Sequence, residues 1–101
     1  MSEIIMEGAK ATIKLTEDVT ATTEKNIRQS LRELVTGNVK ELIVDLAGVR
    51  MVDSVGIGLF ISAHNSLRKI GGVLVLINTS KDLLDLFTNM RLNQHFTIKP
   101  A

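Results

Sequence analysis

Two unbroken apolar runs, separated by the length of one helix, constrain the fold of this chain more than any other feature. The runs are residues 42–44 and 73–77, and both are rich in β-branched residues, as is typical of central strands covered by helices. The segment between them is predicted to hold one helix, from near Ser54 to Ile70, which ends at Gly71. A strand, a helix and a second strand in this order predict a parallel α/β unit with a right-handed crossover.

The segments before this unit predict a hairpin and a further helix. Residues 10–16 alternate strictly between polar and apolar side chains, as a half-buried strand does. Gly8 marks the turn, and residues 3–6 are the expected antiparallel partner. Apolar residues then recur at helical spacing from about Thr23 to Thr36, so we expect a helix that ends at Gly37.

The last part of the chain predicts a third helix and a short final strand. The helix begins after Ser80 and turns its apolar residues inward; these are Leu83, Leu84, Phe87 and Met90. Residues 96–98 are the candidate strand. Right-handed crossovers that advance in one direction place their helices on the same face of the sheet. The expected architecture is one domain over residues 1–101, with a mixed four- to five-stranded sheet, helices mainly on one face, and polar or small side chains on the other.

Composition excludes several classes of function. The formal net charge is +1, and the three phenylalanines are the only aromatic residues besides two histidines, so we expect no nucleic-acid partner. The chain has no cysteine, which excludes thiol chemistry and disulfides. Its start lacks the pattern of a secretory signal, and the apolar runs fall short of about 18 residues. We therefore expect a cytoplasmic protein that does not insert into a membrane.

The junction between a strand and the central helix is the most plausible place for function. Ser54 stands there between Asp53 and two nearby glycines, Gly56 and Gly58. From spacing alone, a helix cap is the favoured role of Ser54 and a regulatory role is the second. Each glycine costs a helix up to about 1 kcal/mol relative to alanine. Close packing against a strand, or access for another protein or a phosphate, would account for them.

Catalytic interpretations of this junction are incomplete. The glycines lack the third glycine and the lysine of a phosphate-binding loop, and Val52 replaces the glycine that a nucleophile elbow requires. His64 lies about 15 Å farther along the same helix, and His95 has no ligand-like spacing to it. Asp45 and Asp53 are better explained by turns and caps than by a carboxylate pair. We expect no metal, no cofactor and no enzymatic activity; a small phosphate-ester hydrolase is the least favoured alternative.

Residues 45–49 and 51–58 resemble the STAS domain family, especially the bacterial anti-sigma factor antagonists. The similarity continues through residues 71–76 and Leu86-Phe87, so it covers essentially the whole chain. This resemblance implies that Ser54 accepts a phosphate from a serine kinase that is also the anti-sigma factor. It further implies that the unphosphorylated form binds this kinase, that phosphorylation breaks the complex, and that a metal-dependent serine phosphatase restores it.

Residues around Ser54 are predicted to form the partner-binding surface. On the helix side they are Asp53, Val55, Gly56, Ile57 and Gly58. The side chain of Ile57 could equally point into the core or towards a partner. Asp18 and Thr20 are the expected neighbours from the loop after the second strand; Thr20 stands where the family usually has aspartate. The alternative function is that of an accessory STAS subunit of a lipid-transport ATPase or a signalling assembly, without phosphorylation.

Overall fold

The computed structural model describes residues 2–101, which form one α/β domain of five strands and three helices. The strands are β1 (Ser2–Glu7), β2 (Lys10–Leu15), β3 (Glu41–Asp45), β4 (Val73–Thr79) and β5 (Thr97–Pro100). The helices are α1 (Glu24–Val35), α2 (Ser54–Lys69) and α3 (Lys81–Asn89), followed by one 3₁₀ turn at Leu92–Gln94. Within these described residues, no helix combines the length and the apolar character needed to cross a bilayer.

The strands lie side by side in the order in which they occur in the chain. β1 pairs antiparallel with β2, and all later neighbours pair in parallel. Gly8 has a φ of +62° in the turn between β1 and β2, a conformation that glycine adopts without steric cost. The expected hairpin, the parallel unit and the mixed sheet are therefore confirmed, and the sheet has five strands.

All three helices cover one face of this sheet. Register places Ile13 beside Val44, and Val44 beside Leu76, so these three buried side chains share that face. Phe60 of α2 and Phe87 of α3 are fully buried above it, with their rings edge to face at 6.2 Å between centroids. The prediction that helices pack mainly on one face is confirmed.

Two details of the sequence-based prediction are wrong. The open face of the sheet is polar only in part: β2 places polar side chains such as Thr12 there, but the apolar runs in β3 and β4 place Ile43 and Val75 there. Met90 is not turned inward. It is the C-cap residue after the last turn of α3, and its side chain is exposed.

The aromatic pair yields a stability prediction. We expect Phe60→Ala to lower the free energy of unfolding by about 3–5 kcal/mol, because it removes a fully buried ring and leaves a cavity. Ile61→Ala on the exposed side of the same helix should change it by no more than about 0.5 kcal/mol. Urea denaturation of the two variants and the wild type measures both values, and equal losses would contradict this description of the core.

Candidate functional site

The candidate site lies where two loops meet beyond the carboxyl ends of β2 and β3. Val19 and Val52 form an isolated parallel bridge between these loops. The Val19 N–H donates to the Met51 carbonyl at 3.0 Å, and the Asp53 N–H donates to the Val19 carbonyl at 3.2 Å. The loop after β2 is therefore held against the residues that lead into α2, as expected for Asp18 and Thr20.

Two aspartates fasten these loops through backbone amides. Oδ1 of Asp18 accepts from the N–H groups of Arg50 and Met51, at 2.9 and 3.1 Å. Oδ1 of Asp53 accepts from the Gly56 N–H at 2.9 Å, and its Oδ2 accepts from the Ala21 N–H at 3.0 Å. Both carboxylates thus fix backbone geometry.

The hydrogen bonds of Asp53 also favour its ionised form. The Gly56 amide is the main reason that the pKa of this carboxyl is lowered, and the Ala21 amide is the second. The side chain therefore keeps its negative charge at neutral pH, directly beside Ser54.

Ser54 occupies a different position from the one that capping rules favour. It is not the N-cap, because Asp53 has the extended backbone and the side-chain bond of that position. Ser54 is instead the first residue of α2 and is exposed. Its hydroxyl makes no hydrogen bond with any group in residues 2–101. An unengaged hydroxyl thus stands at the positive end of a helix.

The two glycines of the first turns have different surroundings. A Cβ on Gly56 would collide with the Val19 carbonyl oxygen, so this residue is a glycine because the neighbouring loop occupies the space. A Cβ on Gly58 would meet no atom within 4 Å. Packing inside the domain therefore explains Gly56 and does not explain Gly58.

The remaining candidate residues divide between surface and interior. Val55 is 39% exposed, whereas Ile57 is 5% exposed and packs in the core. Thr20 is half-buried and donates its N–H to the Thr23 hydroxyl at 3.1 Å. The helix face available to a partner carries Ser54, Gly58 and the exposed Ile61, which follow one another at helical spacing.

Asp45, at the end of β3, has structural partners. Oδ1 of Asp45 accepts from the Ala47 N–H at 2.9 Å and from the Asn78 amide at 3.0 Å, in keeping with a turn. Residues 2–101 contain no group of three or more histidine, cysteine or acidic side chains arranged to hold a metal ion.

One contact was absent from the sequence-based prediction. The rings of His64 and His95 lie 6.3 Å apart between centroids, and Phe96 lies 5.4 Å from His64. Burial lowers the pKa of His64, with smaller contributions from His95 and Arg68. Nothing in the local spacing of these residues signals the contact, since tertiary packing alone brings them together.

The STAS domain family model matches residues 4–101, so this chain belongs to the STAS domain family. No curated protein sequence matches the chain significantly.

Solved structures with the same fold include anti-sigma factor antagonists. SpoIIAA in its unphosphorylated form has a TM-score of 0.78 at 19% identity, over 100% of this chain and 89% of that chain. The phosphorylated form of this Bacillus cell fate determinant has a TM-score of 0.76 at 20% identity, over 97% of this chain and 90% of that chain. An anti-sigma factor antagonist from Mycobacterium paratuberculosis has a TM-score of 0.85 at 16% identity, over 100% and 86%.

A transport-related protein shares the fold as well. A sulfate transporter family protein from Wolinella succinogenes has a TM-score of 0.77 at 13% identity, over 94% of this chain and 80% of that chain. At identities this low, all these similarities establish the fold alone.

Substitution by alanine should have opposite effects on stability at Gly56 and at Gly58. Gly56→Ala should lower the free energy of unfolding by about 1–3 kcal/mol, because the new methyl group collides with the Val19 carbonyl. Gly58→Ala should raise it by up to about 1 kcal/mol, because alanine favours the helix and the space is empty. Chemical denaturation measures both. Equal destabilisation by the two substitutions would contradict the packing of this turn.

The lowered pKa of Asp53 implies that this residue contributes to stability in a pH-dependent way. Its pKa in the folded protein lies below the unfolded value of about 3.9. The contribution is therefore complete above the unfolded value and disappears as the pH falls through the folded value. We expect the free energies of unfolding of the wild type and Asp53→Asn to differ at neutral pH and to converge in acid below about pH 4. A difference that stays constant across an acid titration would contradict the assignment.

Proposed function

We propose that this chain is an anti-sigma factor antagonist in a partner switch controlled by phosphorylation of Ser54. The unphosphorylated form binds a serine kinase that is also the anti-sigma factor, and phosphorylation releases it. A metal-dependent serine phosphatase resets the cycle in the cytoplasm. The chain is thus a kinase substrate and not a catalyst. The observation that carries the proposal is the exposed, unengaged Ser54 hydroxyl at the first residue of α2.

The fold is suited to carry a phosphate at this position without rearranging. Asp53 caps the helix, so modification of Ser54 removes no bond that holds the loops. A phosphate adds about −1.5 to −2 charges. The helix N-terminus favours this charge and the Asp53 carboxylate opposes it. The existence of SpoIIAA structures in both phosphorylation states supports a switch in which one fold serves both forms.

Gly58 supports a partner that rests directly on the helix. This glycine lies one turn after Ser54, and no neighbour within residues 2–101 requires it. A bare stretch of helix allows another backbone or a large side chain to approach closely. Val55 and Ile61, three residues before and after it on the same helix, present exposed apolar side chains.

A phosphate on this surface acts on the complex more than on the free protein. A partner that covers the apolar residues beside Ser54 must desolvate the new dianion, which costs several kcal/mol if it remains unpaired. A loss of this size lowers affinity by orders of magnitude. The unphosphorylated and phosphorylated proteins, each without a partner, are expected to have the same circular dichroism spectrum.

The proposal predicts where a phosphate is added and what it does to binding. Purified protein is incubated with a panel of bacterial anti-sigma serine kinases and ATP, and mass spectrometry locates the phosphate. We expect it on Ser54, with kinase affinity lost after phosphorylation and partly lost in Ser54→Asp, which carries less charge. Ser54→Ala should bind as tightly as the unmodified protein, with stability changed by no more than about 0.5 kcal/mol.

Ser62→Ala is the matched control, because this exposed serine lies on the same helix two turns later. It should leave both phosphorylation and release unchanged. A phosphate at another residue, or equal kinase affinities of the modified and unmodified proteins, would reject the switch. Unfolding of the phosphorylated form would replace it with an order–disorder mechanism.

A second candidate function uses the same surface without phosphorylation. The fold shared with a sulfate transporter family protein favours an accessory subunit of a transport assembly, such as a lipid-transport ATPase. In that case the protein should co-purify with a transporter ATPase, and the wild type and Ser54→Ala should bind it equally. Gly58→Leu, which covers the bare helix, should abolish this binding.

A further inference from the structure

β1 is an edge strand whose outer side has no neighbour within residues 2–101. It pairs only with β2, and all six of its residues are exposed. Three consecutive apolar side chains, Ile4, Ile5 and Met6, are 46%, 55% and 54% exposed. Half of the backbone N–H and C=O groups of an edge strand point away from the sheet and are free to pair with another strand.

The apolar side chains of β1 lie on both faces of the sheet. Ile4 pairs with Ile13, whose side chain is buried under the helices, whereas Ile5 pairs with Thr12 on the open face. The helices do not reach over Ile4, although they bury Ile13 completely. A strand added in the plane of the sheet would adjoin Ile4 and Ile5 together, which neither a helix on one face nor a loop on the other could do.

The other edge of the sheet has the protection that β1 lacks. β5 has only four residues, its pairing with β4 is interrupted by a register shift, and it contains Lys99 and Pro100. Short length, irregular pairing, lysine and proline all discourage further strand pairing. β1 has six unbroken pairs with β2 and none of these residues.

We propose that β1 pairs antiparallel with β1 of a second copy of this chain, so that the two five-stranded sheets become one continuous sheet. Charge favours this occupant. Glu3 lies opposite Lys14 and Glu7 lies opposite Lys10 on β2, so each acidic side chain of β1 has a cation beside it within its own chain. Two copies of β1 can therefore approach without net repulsion. A two-fold pair also closes, leaving only the protected β5 edges at the ends.

Charge also selects the register of the pair. In an antiparallel pair, directly opposite residues share a face of the sheet, so the two-fold axis passes through one residue of β1. The two registers that pair most of the strand are centred on Ile4, which pairs residues 2–6, and on Ile5, which pairs residues 3–7. With Ile5 on the axis, Glu3 of each copy would face Glu7 of the other. With Ile4 on the axis, Glu3 faces Ile5 and the acidic groups are apart. The structure thus favours the register centred on Ile4.

This dimer is independent of the proposed switch and leaves it accessible. The two copies of β2 run in opposite directions. The two Ser54 sites, which lie beyond the carboxyl ends of these strands, are therefore on opposite sides of the dimer, away from the β1 pair. One strand pair buries little surface, so we expect an association that depends on protein concentration.

Sedimentation velocity tests the surface with a matched pair of variants. The sedimentation coefficient of the wild type should rise from that of a monomer towards that of a dimer between about 10 μM and 1 mM protein. Ile4→Lys should lose this shift and remain a monomer with an unchanged circular dichroism spectrum. Val73→Lys introduces the same charge at a 53% exposed apolar residue of β4, away from the edge, and should dimerise like the wild type. A monomeric wild type, loss of dimer in both variants, or growth beyond two chains would overturn the proposal.

Cross-linking tests the register, because the natural chain contains no cysteine. Mild oxidation of Ile4→Cys should give a disulfide-linked dimer much faster than oxidation of Val73→Cys at the same concentration. Ile5→Cys should be slower than Ile4→Cys, since its copies do not face each other in the register centred on Ile4. Equal rates for the Ile4 and Val73 variants would overturn the interface, and a faster Ile5 variant would overturn the register.

Discussion

The close contact between the Val19 carbonyl and the first turn of α2 determines where the groups of the candidate site lie. Gly56 has no side chain, so the carbonyl can approach to a distance that a methyl group would forbid. The same carbonyl accepts the Asp53 N–H, which sets the extended backbone that a cap requires. Asp53 then holds Ala21 and Gly56 with its two carboxylate oxygens. The serine beyond it is left exposed and without a structural task.

This arrangement separates the residue that holds the structure from the residue proposed to carry the signal. Asp53 makes the bonds and keeps its charge, while the hydroxyl of the neighbouring Ser54 makes none with residues 2–101. A protein whose affinity changes on modification benefits from this separation, because the modified and unmodified forms need the same scaffold. The phosphate then lowers the stability of the complex and not that of the free protein, because a partner bound to the apolar residues around Ser54 would have to desolvate it.

Periodicity was sufficient to predict most of the fold. The alternation over residues 10–16, the apolar runs of β3 and β4 and the helical spacing before Gly37 each depend on local burial, which sequence records directly. The identity of the cap did not follow, because aspartate and serine both favour that position. A loop more than 30 residues earlier in the chain decides between them. The same loop distinguishes Gly56 from Gly58, which are equivalent in a sequence. Whether Ile57 turns inward was likewise left open until tertiary packing was known.

The double attachment of Asp53 couples two distant segments of the chain. Its bond to the Ala21 amide joins residues 32 apart in sequence, while its bond to Gly56 belongs to the helix itself. A local opening of the loop after β2 therefore removes one of the two bonds that orient the carboxylate capping α2. Fluctuations of this region should be cooperative, with loop and helix terminus exchanging with solvent as one unit. A macromolecule that binds here would therefore hold the loop and the first turn of α2 together, and should slow the exchange of both with solvent.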